Sequence, residues 1–269
     1  MRKQFLLYIG VIIISIYFFY PIYILFLVSF SPIQFTLKML YPLQYPISIT
    51  FSNLIVAIHS FELIDPMIKS LKTALSVATL SIIIGIPTAY GISRLPQKIS
   101  YLVITIIFIV DMMPSIVTAI PISSEFISLG LYDTFIGLAL MQELIVLPLV
   151  TFILVGAFQS IPKEIEYQAR IDGLGMVRTL YRILVPLSKP AIIASFLLSW
   201  MFSWDEFTYA IILSPIRPTL PIIIYDNITR GNLLASTSFA LIVSIPVLIL
   251  TIILQKYLKG EYLAGGLKG

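Results

Sequence analysis

The sequence predicts an all-α fold, a polytopic membrane bundle of six transmembrane helices, and three observations predict it. Hydrophobic residues make up 59% of the 269 positions. Charged residues make up only 11%, less than half of the roughly 25% usual in soluble domains, and the mean hydropathy is +1.02. Apolar runs near the ~20 residues that cross a bilayer recur along the chain. So little charge cannot coat a water-soluble fold of this size, which excludes a soluble enzyme or a nucleic-acid binder. The net charge of +4 is too small to address nucleic acid and reads first as a topology signal. There is no cysteine, so disulfides, Cys–metal sites and Cys nucleophiles are excluded. A single histidine, His59, leaves little scope for metal chemistry.

The expected spans are residues 5–30, 68–93, 99–121, 134–158, 190–213 and 235–254. The first is too long and too bulky for a signal-peptide core and reads as a retained helix. With the N-terminus in the cytoplasm and the spans alternating, 12 of the 17 basic residues fall inside. That satisfies the positive-inside rule, and the basic C-terminal tail requires an even number of spans. The expectation is a single transmembrane domain over 1–269, multi-pass in the cell membrane, with both termini cytoplasmic. The long outer segment 31–67 holds an apolar piece at 52–64, read as a short surface helix, and His59 in it reads as a surface residue.

The inner loop, 159–189, is the most polar stretch. Ser160, Pro162 and Glu164 read as a helix start. That helix runs through Ile165 and Ala169 and stops at Asp172-Gly173. A second helical stretch places Leu174, Val177, Tyr181 and Leu184 on one apolar face, with Arg178 and Arg182 on another. Pro186 and Pro190 end it. Spacing leaves two readings open: a helical hairpin that docks on a protein, or an amphipathic pair resting on lipid headgroups.

Four acids fall inside the expected spans: Asp111, Glu143, Asp205 and Glu206. A charge at mid-membrane costs at least about 2.5–3.5 kcal/mol, so each is a functional candidate. Glu143 fits an interhelical hydrogen bond, and for Asp111 glue and function weigh equally. Asp205 and Glu206 are expected near an outward-opening cavity. Trp200 and Trp204, the only tryptophans, share a helical face. Aromatic faces stack on sugar C–H groups and carboxylates accept hydroxyl hydrogen bonds, so Trp204, Asp205 and Glu206 suit a polyol. Core packing is the competing reading for the tryptophans.

The inner loop resembles the cytoplasmic signature of the permeases of ABC importers, E-A-A, three residues, Gly, nine residues, I-x-L-P. Here Ala169, Gly173 and Ile183 through Pro186 keep its spacing. Tyr167 stands at the glutamate position and Gln168 at the first alanine, which leaves Glu164 or Glu166 to supply the acidic contact. Other stretches are similar to the carbohydrate-importer branch, specifically the second permease of maltose-type systems. They are Thr88–Arg94, Met113-Pro114 through Pro121, Trp204-Asp205-Glu206-Phe207, Thr219-Leu220-Pro221 and the tail Ala264–Gly269.

The resemblance implies a type I importer fold and a transport subunit that is not itself an enzyme. It implies a coupling loop carrying Glu164, Glu166, Tyr167, Ala169, Asp172, Gly173, Ile183 and Pro186, which seats on an ATPase subunit. It implies a substrate path near Asp111, Trp200, Trp204, Asp205 and Glu206, and a tail with Gly265, Gly266 and Lys268 that reaches the ATPases. The implied partners are a second related permease, an ABC ATPase dimer and an external sugar-binding protein. No phosphate-binding loop is present in the sequence, so no cofactor is expected on this chain and ATP with magnesium belongs to the partners. Competing readings are a permease for another polar solute such as polyamine or phosphate, an ion-coupled carrier using Asp111 or Glu143, and a membrane enzyme. The last suits adjacent acids poorly, because Asp205 and Glu206 point to different helix faces.

Overall fold

A computed structural model of the chain describes residues 2–32, 49–59, 61–231 and 233–265. Among the described residues there are helices and connecting turns and no strand. Helix α1 is Arg2–Ser29, α2 is Ser52–His59 and α3 is Phe61–Ser93. Helices α4 and α5 are Gln97–Asp111 and Ser115–Ser128, and α6 is Phe135–Gln159. The inner loop forms α7, Lys163–Ile171, and α8, Met176–Leu187. Then come α9, Lys189–Trp204, α10, Thr208–Leu213, α11, Leu220–Thr229, and α12, Leu233–Gly265. Among the described residues, four helices are long and apolar enough to cross a membrane alone, and up to six spans result when each of two bent pairs counts as one.

The differences from the expected spans have local causes. The third span bends by 81° between α4 and α5. Pro114 disfavours helical backbone at Met113 and offers no N–H to continue α4. Pro121, expected to end the span, sits inside α5 instead. The fifth span ends at Trp204, and a turn at Asp205–Phe207 separates it from α10. Phe61 already belongs to α3, so the expected outer helix 52–64 is split and α3 reaches 33 residues, about 50 Å at 1.5 Å per residue. Ser160, expected to open α7, closes α6 as its C-cap and donates to Ala157 O at 2.7 Å; the residue before α7 is Pro162.

The chain divides into two compact units, residues 1–67 with 222–246, and residues 68–221 with 247–269. In the first unit, Asn53 donates from Nδ2 to the Ser31 carbonyl at 2.9 Å, tying α2 to the end of α1. His59 is exposed and its Nδ1 lies 2.8 Å from Ile55 O, so it is a surface residue as expected. The core of the second unit lies where α3, α6 and α8 meet. Val77, Ile86, Tyr90, Val150, Leu154, Phe158, Leu180 and Leu184 are buried there. The approach of α3 to α6 depends on Gly85: a Cβ there would lie 2.8 Å from Val150 Cγ1.

Candidate coupling loop and intramembrane polar sites

The turn between α7 and α8 is built by Gly173, which has φ of +81°. Leu174 N donates to Ala169 O at 2.9 Å and Gly173 N to Arg170 O at 3.0 Å. This is a Schellman closure with Gly173 at C′ and Asp172 as the exposed C-cap. No atom lies within 4 Å of the Cβ position. Backbone conformation, and not a lack of space for a side chain, is what calls for glycine here.

Helix α8 contains a π-turn at Leu180–Leu184. Pro186 lacks the N–H that the Arg182 carbonyl would receive and its ring crowds that carbonyl. The preceding turn widens, and Val185 N donates to Leu180 O, five residues back. The extra residue shifts the phase of the helix. The single apolar face expected from Leu174, Val177, Tyr181 and Leu184 is therefore divided. Leu180 and Leu184 pack into the core, while Val177 and Tyr181 are exposed. Together with Tyr167, Ile171 (84% exposed) and Met176 they form an exposed apolar ridge over α7 and α8. Ala169 is buried under it, Ile183 is half-buried, and Glu164 and Pro186 are exposed.

Glu166 does not belong to that ridge. It is buried, and its Oε1 accepts from Arg94 Nε at 2.6 Å and pairs with Arg94 Nη2. Its Oε2 accepts from Tyr90 Oη at 2.9 Å. The same arginine donates from Nη1 to Phe158 O at 3.0 Å, and its guanidinium lies over the Tyr90 ring, 5.3 Å from the centroid. Both carboxylate oxygens are engaged inside the chain. Glu166 is thereby removed as the substitute acidic contact, and Glu164 is the acid of that pair left at the surface.

The intramembrane acids separate. Glu143 accepts from Ser81 Oγ at 2.8 Å and joins α6 to α3. Glu206 is a helix-capping group: its carboxylate accepts from Tyr209 N at 2.6 Å and Ala210 N at 3.1 Å, satisfying two of the donors that open α10. Gln142 Nε2 donates to it at 3.1 Å, and Ser203 Oγ donates to Gln142 Oε1 at 2.5 Å, so α6, α9 and α10 share one buried network. No hydrogen bond among the described residues joins Asp111, Glu143 or Asp205 to it. Asp205 is exposed at the end of α9, and Asp111 is half-buried one residue before the α4–α5 break.

Trp200 and Trp204 correct an expectation. Both are 2% exposed, and their rings stack on each other, 4.8 Å between centroids with 16° between planes. Four residues apart on one face, they pack against each other and present no face to a substrate in this conformation, and the buried Trp204 Nε1 has no hydrogen-bond partner among the described residues. The expected tail residue Gly265 ends α12, whereas Gly266 and Lys268 lie outside the described residues.

Two clusters were missed in the sequence, because no motif pairs their members. One is the Tyr90–Arg94–Glu166 joint, whose members are 76 and 72 residues apart along the chain. The other is at Lys69, whose Nζ donates to Asp133 O at 3.0 Å, to Arg217 O at 2.6 Å and to Ser214 Oγ. It also pairs with Asp133 Oδ1 at 3.4 Å. The available signal was a lysine, Lys69, placed just inside an apolar run.

A bundle of this kind, with acids in its spans and a helical hairpin bearing exposed apolar side chains between two of them, defines a membrane transport subunit. The chain belongs to the binding-protein-dependent transport system inner membrane components, whose family pattern matches residues 81–261. It is 27% identical to the inner membrane ABC transporter permease protein YcjP of Escherichia coli strain K12, over 97% of this chain and 95% of that one. It is 31% identical to the sulfoquinovosyl glycerol transport system permease protein SmoH of Agrobacterium fabrum, over 84% of this chain and 80% of that one. Its fold is similar to that of a bacterial ABC transporter involved in the import of the acidic polysaccharide alginate. There the TM-score is 0.75 at 22% identity, with 95% of this chain and 96% of that chain covered. The bound substrate and the partners are not part of those likenesses.

Proposed function

We propose that the chain is one membrane subunit of an ATP-driven importer for a carbohydrate, forming half of the translocation pathway. The observation that carries this reading is the apolar ridge of Tyr167, Ile171, Met176, Val177 and Tyr181, held out from the protein by the Schellman turn and the π-turn. Large exposed apolar side chains on a polar loop mark a docking surface, and its occupant is an ABC ATPase subunit on the cytoplasmic side. A second related permease completes the pathway, and an external sugar-binding protein delivers the substrate. ATPase closure draws the two loops together and rocks the spans from inward-open to outward-open, and hydrolysis resets them. The N- and C-termini lie in the cytoplasm, and the tail with Gly265, Gly266 and Lys268 extends toward the ATPases. Carbohydrate is favoured because the substrates named for two relatives are a sugar glycoside and a polysaccharide. Asp205 and Asp111 remain the acids free to meet hydroxyl groups.

Reconstitution in proteoliposomes tests the reading. ATP-dependent uptake of a sugar in the presence of binding protein and ATPase is expected. Ile171→Glu is expected to abolish co-purification of the ATPase. Uptake that persists without any ATPase and collapses with an ionophore would establish an ion-coupled carrier instead.

A further inference from the structure

We infer that Glu166 is a positioning residue for energy coupling: with Arg94 and Tyr90 it makes the docking helix α7 rigid with the cytoplasmic ends of α3 and α6. The inference rests on the docking role just proposed. Helix α7 is nine residues long and has no side-chain cap at its N-terminus. A helix so short is marginal by itself. The turn 160–162 connects it to α6 and nothing covalent connects it to α3 nearby. A load applied at Tyr167 and Ile171 would therefore tilt α7 in place unless another group ties it down. The described ion pair supplies that tie, and Arg94 extends it. The guanidinium holds Glu166 through two nitrogens and the last turn of α6 through the Phe158 carbonyl at 3.0 Å. Tyr90 holds the second carboxylate oxygen at 2.9 Å from one turn earlier on α3. The side chains are 18% exposed for Arg94 and 6% for Glu166, so water screens the pair little. Displacement of α7 is delivered to two spans at once, and α3 and α6 pack together through Gly85 and Val150.

The test uses the assembled, reconstituted transporter with ATPase and binding protein, reading solute transported per ATP hydrolysed. Glu166→Gln keeps the side-chain shape and removes the charge. It is expected to leave the ATPase co-purifying and ATP hydrolysis running, while transport per ATP falls about tenfold, within the span of ordinary coupling between sites. Arg94→Gln should give the same loss. A second arm guards against misassembly. The chain has no cysteine, so Arg94→Cys with Glu166→Cys can be bridged by a bifunctional methanethiosulfonate reagent once the other subunits are cysteine-free. Bridging should raise transport per ATP, and reductant should abolish the gain; a merely structural role would not respond reversibly. Wild-type stoichiometry in Glu166→Gln with the complex intact, or a bridge that restores nothing, would overturn the inference. Absence of ATPase from wild-type preparations would instead overturn the docking reading.

Discussion

Glu206 stands beside Asp205 in sequence, yet the two have separate tasks. A carboxylate two residues ahead of a helix accepts from its unsatisfied N–H groups, and loss of such a cap costs about 1 kcal/mol. Glu206→Ala is expected to lower the melting temperature in detergent, and Asp205→Asn to leave it unchanged while weakening uptake. Lys69 is the costlier position. Its ammonium satisfies two backbone carbonyls and one carboxylate in a half-buried turn. Lys69→Met should destabilise by about 1–3 kcal/mol, because partners left unsatisfied lose their compensation for burial. A double-mutant cycle of thermal melts with Asp133→Ala should show non-additivity. At Gly173, φ of +81° disfavours any residue with a Cβ by about 1–2 kcal/mol. Gly173→Ala should lower transport per ATP without affecting insertion, and Gly173→Asn should do so less, since asparagine tolerates the left-handed region. Equal losses in the two variants would show that space and not conformation is limiting.

Among the elements, the spans were legible because about 20 consecutive apolar residues leave few alternatives, and the inner hairpin because Gly173 and the prolines punctuate it. The breaks within spans were harder. Pro114, Pro121 and Pro148 all lie in apolar runs, and only the first opens a gap between helices. Sequence does not reveal which proline has neighbours to hold its freed carbonyls. The phase of α8 failed for a related reason: a 3.6-residue period assumes uninterrupted i→i+4 bonds, and the π-turn before Pro186 adds a residue. Pro186→Ala should let α8 close to an ordinary helix and rotate Leu180 and Leu184 by roughly one residue's turn against Tyr90 and Phe158. Spin-label distances from α8 to α6 would report the shift, and an unchanged distance would assign the π-turn to packing. The candidate sites divide in the same way. Gly173 and the exposed ridge follow local rules, whereas Glu166, Gln142 and Ser203 acquire their partners only from residues 61 to 76 positions away.

At the scale of the whole molecule, sparse charge is partitioned by task. Glu143, Glu206, Glu166 and Lys69 close internal joints, and the basic residues of the inner loop stay mostly exposed. Single-cysteine variants at Arg178 and Arg217, both exposed, should react with an impermeant maleimide from opposite faces of the cell membrane, Arg217 from outside. Labelling of both from one side would break the alternating arrangement. The family supplies the class of protein, while the joints show how the unit of residues 68–221 and 247–269 keeps apolar helices in register with few polar contacts.

The stacked pair on α9 turns the protein into its own optical instrument. With two tryptophans in the whole chain and their rings 4.8 Å apart, all indole emission arises from one dry spot in the fifth span. Their strong far-ultraviolet indole transitions couple at that separation, giving a dichroism signal that reports on this pair against the tyrosine and helix background. Emission should be blue and resist aqueous acrylamide, and any transport step that parts the rings would become visible as a change in colour without a single attached dye.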